Sequence, residues 1–226
     1  MILPCLEIET APNPAHAIIW MHGLGADGHD FEPIVPELVS ADWPPLRFVF
    51  PHAPSRAITV NGGMSMPGWY DIAGFEIAQR QDEAGIRESI AQIEQLITRE
   101  HERGVASDNI ILAGFSQGAA MALSVGLRHA STLAGIVALS GYLPLMEALA
   151  TERNPANAKT PVFLGHGSSD PVVPEFLGTR TRDFLHDLGH PVTWHSYPMA
   201  HQVCAMEITH LRQWISARLP RNGAGD

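Results

Sequence analysis

Four apolar residues, Ile110-Ile111-Leu112-Ala113, run into Gly114-Phe115-Ser116-Gln117-Gly118, and the helix formers Ala119-Ala120-Met121-Ala122-Leu123 follow at once. The order is strand, tight turn, helix. A serine in such a strained turn projects its hydroxyl clear of a sheet, while Gly114 and Gly118 let strand and helix approach without Cβ clashes. The helix N-terminus behind it favours negative charge that develops there. Ser116 is therefore a candidate nucleophile. An ordinary glycine-rich strand-to-helix connection shares the pentapeptide, so the weight rests on what surrounds it.

Short apolar runs alternate along the chain with longer amphipathic ones, the pattern of strands joined by helical crossovers in a mostly parallel central sheet flanked by helices. Strands are expected at 3–9, 17–21, 46–50, 110–113, 135–139, 162–165 and 192–197. The stripe Ile86, Ile90, Ile93 and Ile97 predicts a helix over 81–102, with Gly104 ending it. Further helices are expected over 118–129, over 175–188 with Gly189 as stop, and over 202–219, where Val203, Met206, Leu211 and Trp214 share a side. The stretch from Ala53 to Gly74 is rich in Gly and Pro and reads as irregular backbone, a candidate lid. Within it Met64, Met66 and Trp69 either line a substrate pocket or pack the loop down. No linker divides the 226 residues, 45% of them hydrophobic, so residues 1–226 read as a single α/β domain.

The formal net charge is -10 with Lys and Arg scattered, which leaves no basic face for nucleic acid or an anionic membrane. The N-terminal residues lack the basic start and apolar run of a secretory signal, and no segment is long and apolar enough for a membrane anchor. A cytoplasmic protein is expected. Cys5 and Cys204 lie far apart without a Cys-x-x-Cys partner, so both read as packing residues rather than as a disulfide or thiolate metal site.

Ser116 needs an oxyanion donor and a base. Upstream, the run Ala17 to Met21 exits into His22-Gly23-Leu24-Gly25-Ala26-Asp27-Gly28. Two backbone N–H groups aimed at a developing oxyanion contribute about 3 kcal/mol each, and Leu24 and Gln117 are the expected donors. A purely structural turn is the alternative; a phosphate loop is not, because no Lys-Ser or Lys-Thr follows and the glycines do not fit G-x-G-x-x-G. His22 reads as a hydrogen-bonding support for this loop.

The α/β-hydrolase order is Ser, then Asp or Glu, then His. Of the acids after Ser116, Asp170 follows a strand exit, where α/β sheets build their sites, whereas Asp183 and Asp187 fall within an expected helix. Asp170 would hold the tautomer of the base; a turn-capping Asp before Pro171 is the alternative. His201 follows the last strand and is the expected base, while His195 lies within that strand and His186 with His190 reads as a surface pair rather than a metal site.

These blocks, with Pro51-His52-Ala53-Pro54, Met66-Pro67-Gly68-Trp69-Tyr70-Asp71 and His166-Gly167, resemble the small carboxylesterases of the phospholipase/carboxylesterase family, which include acyl-protein thioesterases. The resemblance covers nearly the whole chain. It implies an α/β-hydrolase with a Ser116-Asp170-His201 triad, Leu24 and Gln117 as oxyanion donors, and no metal or organic cofactor. It implies hydrolysis of short to medium acyl esters through an acyl-enzyme, with thioesterase or lysophospholipase action as the nearest variant and a silent ligand-binding protein as the rival. Homodimers are common in the family; these residues neither support nor exclude one. Ala119 and Ala200 depart from it, since glycine is usual at both places.

Overall fold

The computed structural model describes residues 2–74 and 81–220. In chain order its strands are β1 (Cys5–Glu9), β2 (His16–Met21), β3 (Leu46–Pro51), β4 (Ser55–Ile58), β5 (Met64–Pro67), β6 (Ile110–Phe115), β7 (Gly135–Leu139), β8 (Val162–Gly167) and β9 (Val192–Tyr197). The α-helices are α1 (Val35–Leu38), α2 (Glu83–Glu102), α3 (Gln117–Gly126), α4 (Met146–Glu152), α5 (Glu175–Asp187) and α6 (Ala205–Ser216).

Seven strands form one sheet in the order β1-β3-β2-β6-β7-β8-β9. β1 pairs antiparallel with β3, from Cys5 opposite Pro51 to Glu9 opposite Arg47, and the other neighbours run parallel. This is the mostly parallel, helix-flanked sheet of the α/β class.

Burial on both faces explains why the central strands are continuously apolar. In β2, Ala17, Ile19 and Met21 enter one core with α2 and α3, while Ile18 and Trp20 enter the other with α1 and α6. The stripe of α2 buries Ile86, Ile93 and Ile97 completely, each worth about 1.5–3 kcal/mol relative to exposure. Asp82 caps that helix by accepting the Gly85 N–H. Every residue of α3 is buried, so the helix behind Ser116 runs inside the protein.

Three expectations need correction, and two short helices were not anticipated. The segment 53–74 is not irregular throughout: β4 and β5 form an antiparallel hairpin, with Ser55 opposite Pro67 and Ile58 opposite Met64. Its strands are too short and too polar to show alternation. The short helices α1 and α4 had no periodic signal. Helix α6 starts at Ala205, and its buried side is Glu207, Leu211, Trp214 and Ile215; Met206 is 58% exposed. Finally, His190 is buried, so His186 and His190 are not a surface pair.

Candidate active site

Ser116 sits at φ 56°, ψ -117°, a strained combination for a residue with a side chain, costing about 1–3 kcal/mol. The surroundings impose it. The Ser116 N–H donates to the Leu139 carbonyl at 2.8 Å, tying the turn to β7. A Cβ on Gly114 would overlap the Gly118 carbonyl, and one on Gly118 would overlap the Met21 carbonyl. Both glycines are therefore required by close approach. Ala119 fits because its methyl fills space left by Gly141, where a Cβ would collide with it.

Asp170 lies in the loop after β8 and is almost fully buried. Its Oδ1 accepts the N–H groups of Val172 and Val173 at 2.8 and 2.9 Å, and its Oδ2 stands 2.6 Å from His201 Nδ1. The carboxylate thus caps its own turn and holds His201, one oxygen for each task. With Nδ1–H donated to Asp170, Nε2 is left to accept from the Ser116 hydroxyl at 2.8 Å.

The loops carrying acid and base are stitched together by Ser168 N–H to the Tyr197 carbonyl at 2.8 Å and Ser169 N–H to the Met199 carbonyl at 3.1 Å. His166 donates Nε2–H to the Val173 carbonyl at 2.8 Å, and burial lowers its pKa, so it stays neutral beside Asp170. His195, by contrast, stacks on His210 at 4.4 Å between ring centres.

The loop after β2 is held from within. The Ala53 N–H can only donate, so His22 Nε2 accepts it at 3.1 Å and the proton sits on Nδ1, which donates to the Gly23 carbonyl at 2.7 Å. Burial lowers the His22 pKa and keeps the ring neutral. The Gly23 carbonyl and the Leu24 N–H belong to one planar peptide and point in opposite directions. Fixing one aims the other. Gly23 packs against the elbow, a Cβ there meeting Ser116 Cβ at 3.5 Å. Among the described residues, the N–H groups of Leu24 and Gln117 donate no hydrogen bond.

Of the three substrate-lining candidates, Trp69 is a correction. It is fully buried, its Nε1–H donates to the His22 carbonyl at 2.9 Å, and its carbonyl accepts from Ser89. Its ring packs the loop down. Met64 is 63% exposed at the hairpin, and Met66 lies beside Gly25 with its sulfur accepting from Asn61 at 3.3 Å. The sequence reading missed the Gln117 side chain, which clamps this segment to the elbow: Oε1 accepts Trp69 N–H and Nε2–H donates to the Tyr70 carbonyl, both at 2.7 Å. No local pattern marks a contact so distant in sequence. Next to Gly141, Tyr142 opens onto a cavity of about 440 Å³, lined by the apolar Leu143, Leu145 and Leu177 and by the polar Gln81, Glu83, Arg180 and Thr181.

A hydroxyl hydrogen-bonded to an imidazole, a carboxylate behind that imidazole and unpaired N–H groups nearby suit acyl transfer. Fold and site together define an ester hydrolase of the α/β-hydrolase fold. The chain belongs to the phospholipase/carboxylesterase family, whose model matches residues 3–219. It is 40% identical to acyl-protein thioesterase 1 of Neurospora crassa, with 96% of this chain and 93% of that protein covered. To the protein of the same name from Yarrowia lipolytica it is 35% identical, covering 96% and 97%. Among solved structures, Arabidopsis thaliana SOBER1 superimposes with a TM-score of 0.85 at 29% identity, covering 90% of this chain and 98% of that one. Zea mays acyl-protein thioesterase 2 gives 0.79 at 27%, covering 95% and 99%.

Proposed function

We propose that the protein is a serine carboxylesterase that cleaves esters of short to medium acyl chains through an acyl-enzyme. The observation that carries this reading is the unbroken chain from Asp170 Oδ2 through His201 to Ser116 Oγ, at 2.6 and 2.8 Å. Ser116 attacks the ester carbonyl while His201 Nε2 takes its proton, and Asp170 stabilises the imidazolium. The N–H groups of Leu24 and Gln117 stabilise the oxyanion. His201 then returns the proton to the leaving alcohol, and in the second half-reaction it activates water against the acyl-serine. Met64, Met66 and the Leu24 loop would supply the apolar surface for the acyl chain, each buried methylene contributing about 0.8 kcal/mol.

A thioesterase acting on acylated protein is the second reading, favoured by the relatives named acyl-protein thioesterase 1. Every step is shared, because a thiol leaves as readily as an alcohol from the same intermediate. Turnover of p-nitrophenyl acetate and butyrate against a Ser116→Ala control tests the shared chemistry, and no excess over that control would end it. A thioacylated peptide run beside the esters separates the two substrates.

A further inference from the structure

Glu207 sits in the first turn of α6, inside the helix's otherwise apolar buried side. It is fully buried, and neither carboxyl oxygen has a side-chain hydrogen-bond partner; the Cys204 N–H at the helix start is the polar group that acts on it. Its carboxyl occupies the place that a Cβ on Gly165 of β8 would need, a place also 3.4 Å from the Leu139 side chain of β7. A leucine or methionine would fill that volume without burying a polar group, so packing alone does not account for the carboxyl.

The place is a junction of the site. The Leu139 carbonyl holds the Ser116 N–H, and the Gly165 carbonyl holds the Ser140 N–H, both at 2.8 Å. The turn that carries His201 leads directly into α6, and the carbonyls of Met199 and Ala200 press on Gly167 so closely that a Cβ there would overlap them. Only Gln202, Val203 and Cys204 separate the His201 turn from the first turn of α6.

We propose that Glu207 is a positioning residue for His201: as a neutral acid it seats the start of α6 against β8, and its ionisation displaces that start and draws the imidazole away from Ser116. The proposal rests on the reading of His201 as the base. A carboxylate in these surroundings has only the Cys204 N–H to replace water, so charge on it is relieved mainly by opening the packing. A displacement of about 1 Å at a catalytic group costs about a hundredfold in rate.

Burial raises the Glu207 pKa to about 8, against the lowering effect of the Cys204 N–H. Tyr197 on β9 feels the Glu207 charge, and Cys204 at the helix start presents its N–H to the carboxyl. His210, further along α6, bonds the Tyr197 hydroxyl through Nδ1 at 3.1 Å, and His195 of β9 stacks on its ring. From β7 and β8 the neighbours are Leu139 and Gly165. Burial and the Glu207 charge hold the Tyr197 phenol far above its usual range, so Glu207 ionises first.

The experiment compares the full-length wild type with Glu207→Gln and Glu207→Met by kcat and KM for p-nitrophenyl butyrate from pH 6 to about pH 10, and by thermal melting over pH 5 to about pH 9. The expected result is a wild-type loss of kcat of about tenfold or more on the alkaline side, with a midpoint near 8, while KM holds. Glu207→Gln, which cannot ionise, loses that limb. In melting, the stability of Glu207→Met relative to wild type increases from pH 5 to about pH 8, because the unfolded carboxyl releases its proton first. An alkaline limb identical in Glu207→Gln, or a melting difference that is constant with pH, overturns the proposal. Absence of wild-type turnover at pH 7 would instead refute the esterase reading, and the melting series would still decide whether Glu207 is held neutral.

Discussion

His201 Nε2 stands 2.8 Å from Ser116 Oγ across 85 residues of sequence, and the aromatic ring of Phe115 packs 4.8 Å from the imidazole on the elbow side. His195, also near the C-terminal end of the sheet, spends its ring on His210 instead. His201→Ala is therefore expected to lower kcat on p-nitrophenyl esters by about 10³-fold or more, whereas His195→Ala leaves it within a few-fold of wild type. Equal losses in a steady-state comparison would reassign the base.

Asp170→Asn separates the two tasks of that side chain. The amide oxygen can still accept from Val172 and Val173, so the turn survives and melting should change little. The other atom becomes an NH2 facing His201 Nδ1, which forces the wrong tautomer and removes the countercharge. A fall in kcat of about 10⁴-fold is expected. An unchanged kcat in a well-folded Asn variant would show that another acid serves His201.

The elbow, the glycine-rich loop after β2, and the loops that carry Asp170 and His201 were legible because each follows a strand in a fixed order, and strand ends are visible as apolar runs stopping at Gly, Ser or His. The hairpin β4–β5 was not, since Ser55–Ile58 and Met64–Pro67 gain their pairing from the register of two short segments rather than from alternation. Glu207 was invisible for the opposite reason. Periodicity gave its buried place to Met206, because a glutamate is not expected inside a core. Trp69 was legible as a large side chain in a long loop, but its burial depends on His22 and Ser89, which only the fold brings to it.

His22 offers a test of how the Leu24 N–H is aimed. In His22→Ala the Gly23 carbonyl and the Ala53 N–H both lose their partner, and the Gly23–Leu24 peptide is free to rotate. The expected loss is about 10- to 100-fold in kcat with KM nearly constant, because the oxyanion exists in the transition state and not in the bound ester. A change confined to KM would mean that the loop binds substrate rather than the oxyanion.

Four buried or half-buried histidines, His16, His22, His166 and His190, have pKa values lowered first by burial from the usual 6.5. The unfolded chain takes up these protons before the folded one does. Stability is therefore fully present above about pH 6.5 and is lost as pH falls from there through the lower folded values. Denaturant melts at pH 7.5, 6 and 5 should show a decreasing midpoint. His190→Phe, which removes a buried titratable ring, should flatten that slope; an identical slope would place the acid sensitivity elsewhere.

The fit of Ala119 against Gly141 predicts a coupled pair. A Cβ on Gly141 would collide with the Ala119 methyl and come within 3.0 Å of the Ser116 carbonyl, and Gly141 has no need of positive φ, so only space forbids alanine there. Gly141→Ala is expected to cost about 1–3 kcal/mol by overpacking, and to reduce kcat because the strain falls on the nucleophile's own peptide. Ala119→Gly alone should cost about 1 kcal/mol, since it loosens a fully buried helix. Together the two changes exchange the methyl from one side of the contact to the other. The double variant should therefore be more stable than the sum of the single losses by about 1 kcal/mol or more, and should recover part of the activity. Strict additivity in urea melts would show that the Gly141 constraint comes from Ser116 alone, and that the alanine at 119 is tolerated for another reason.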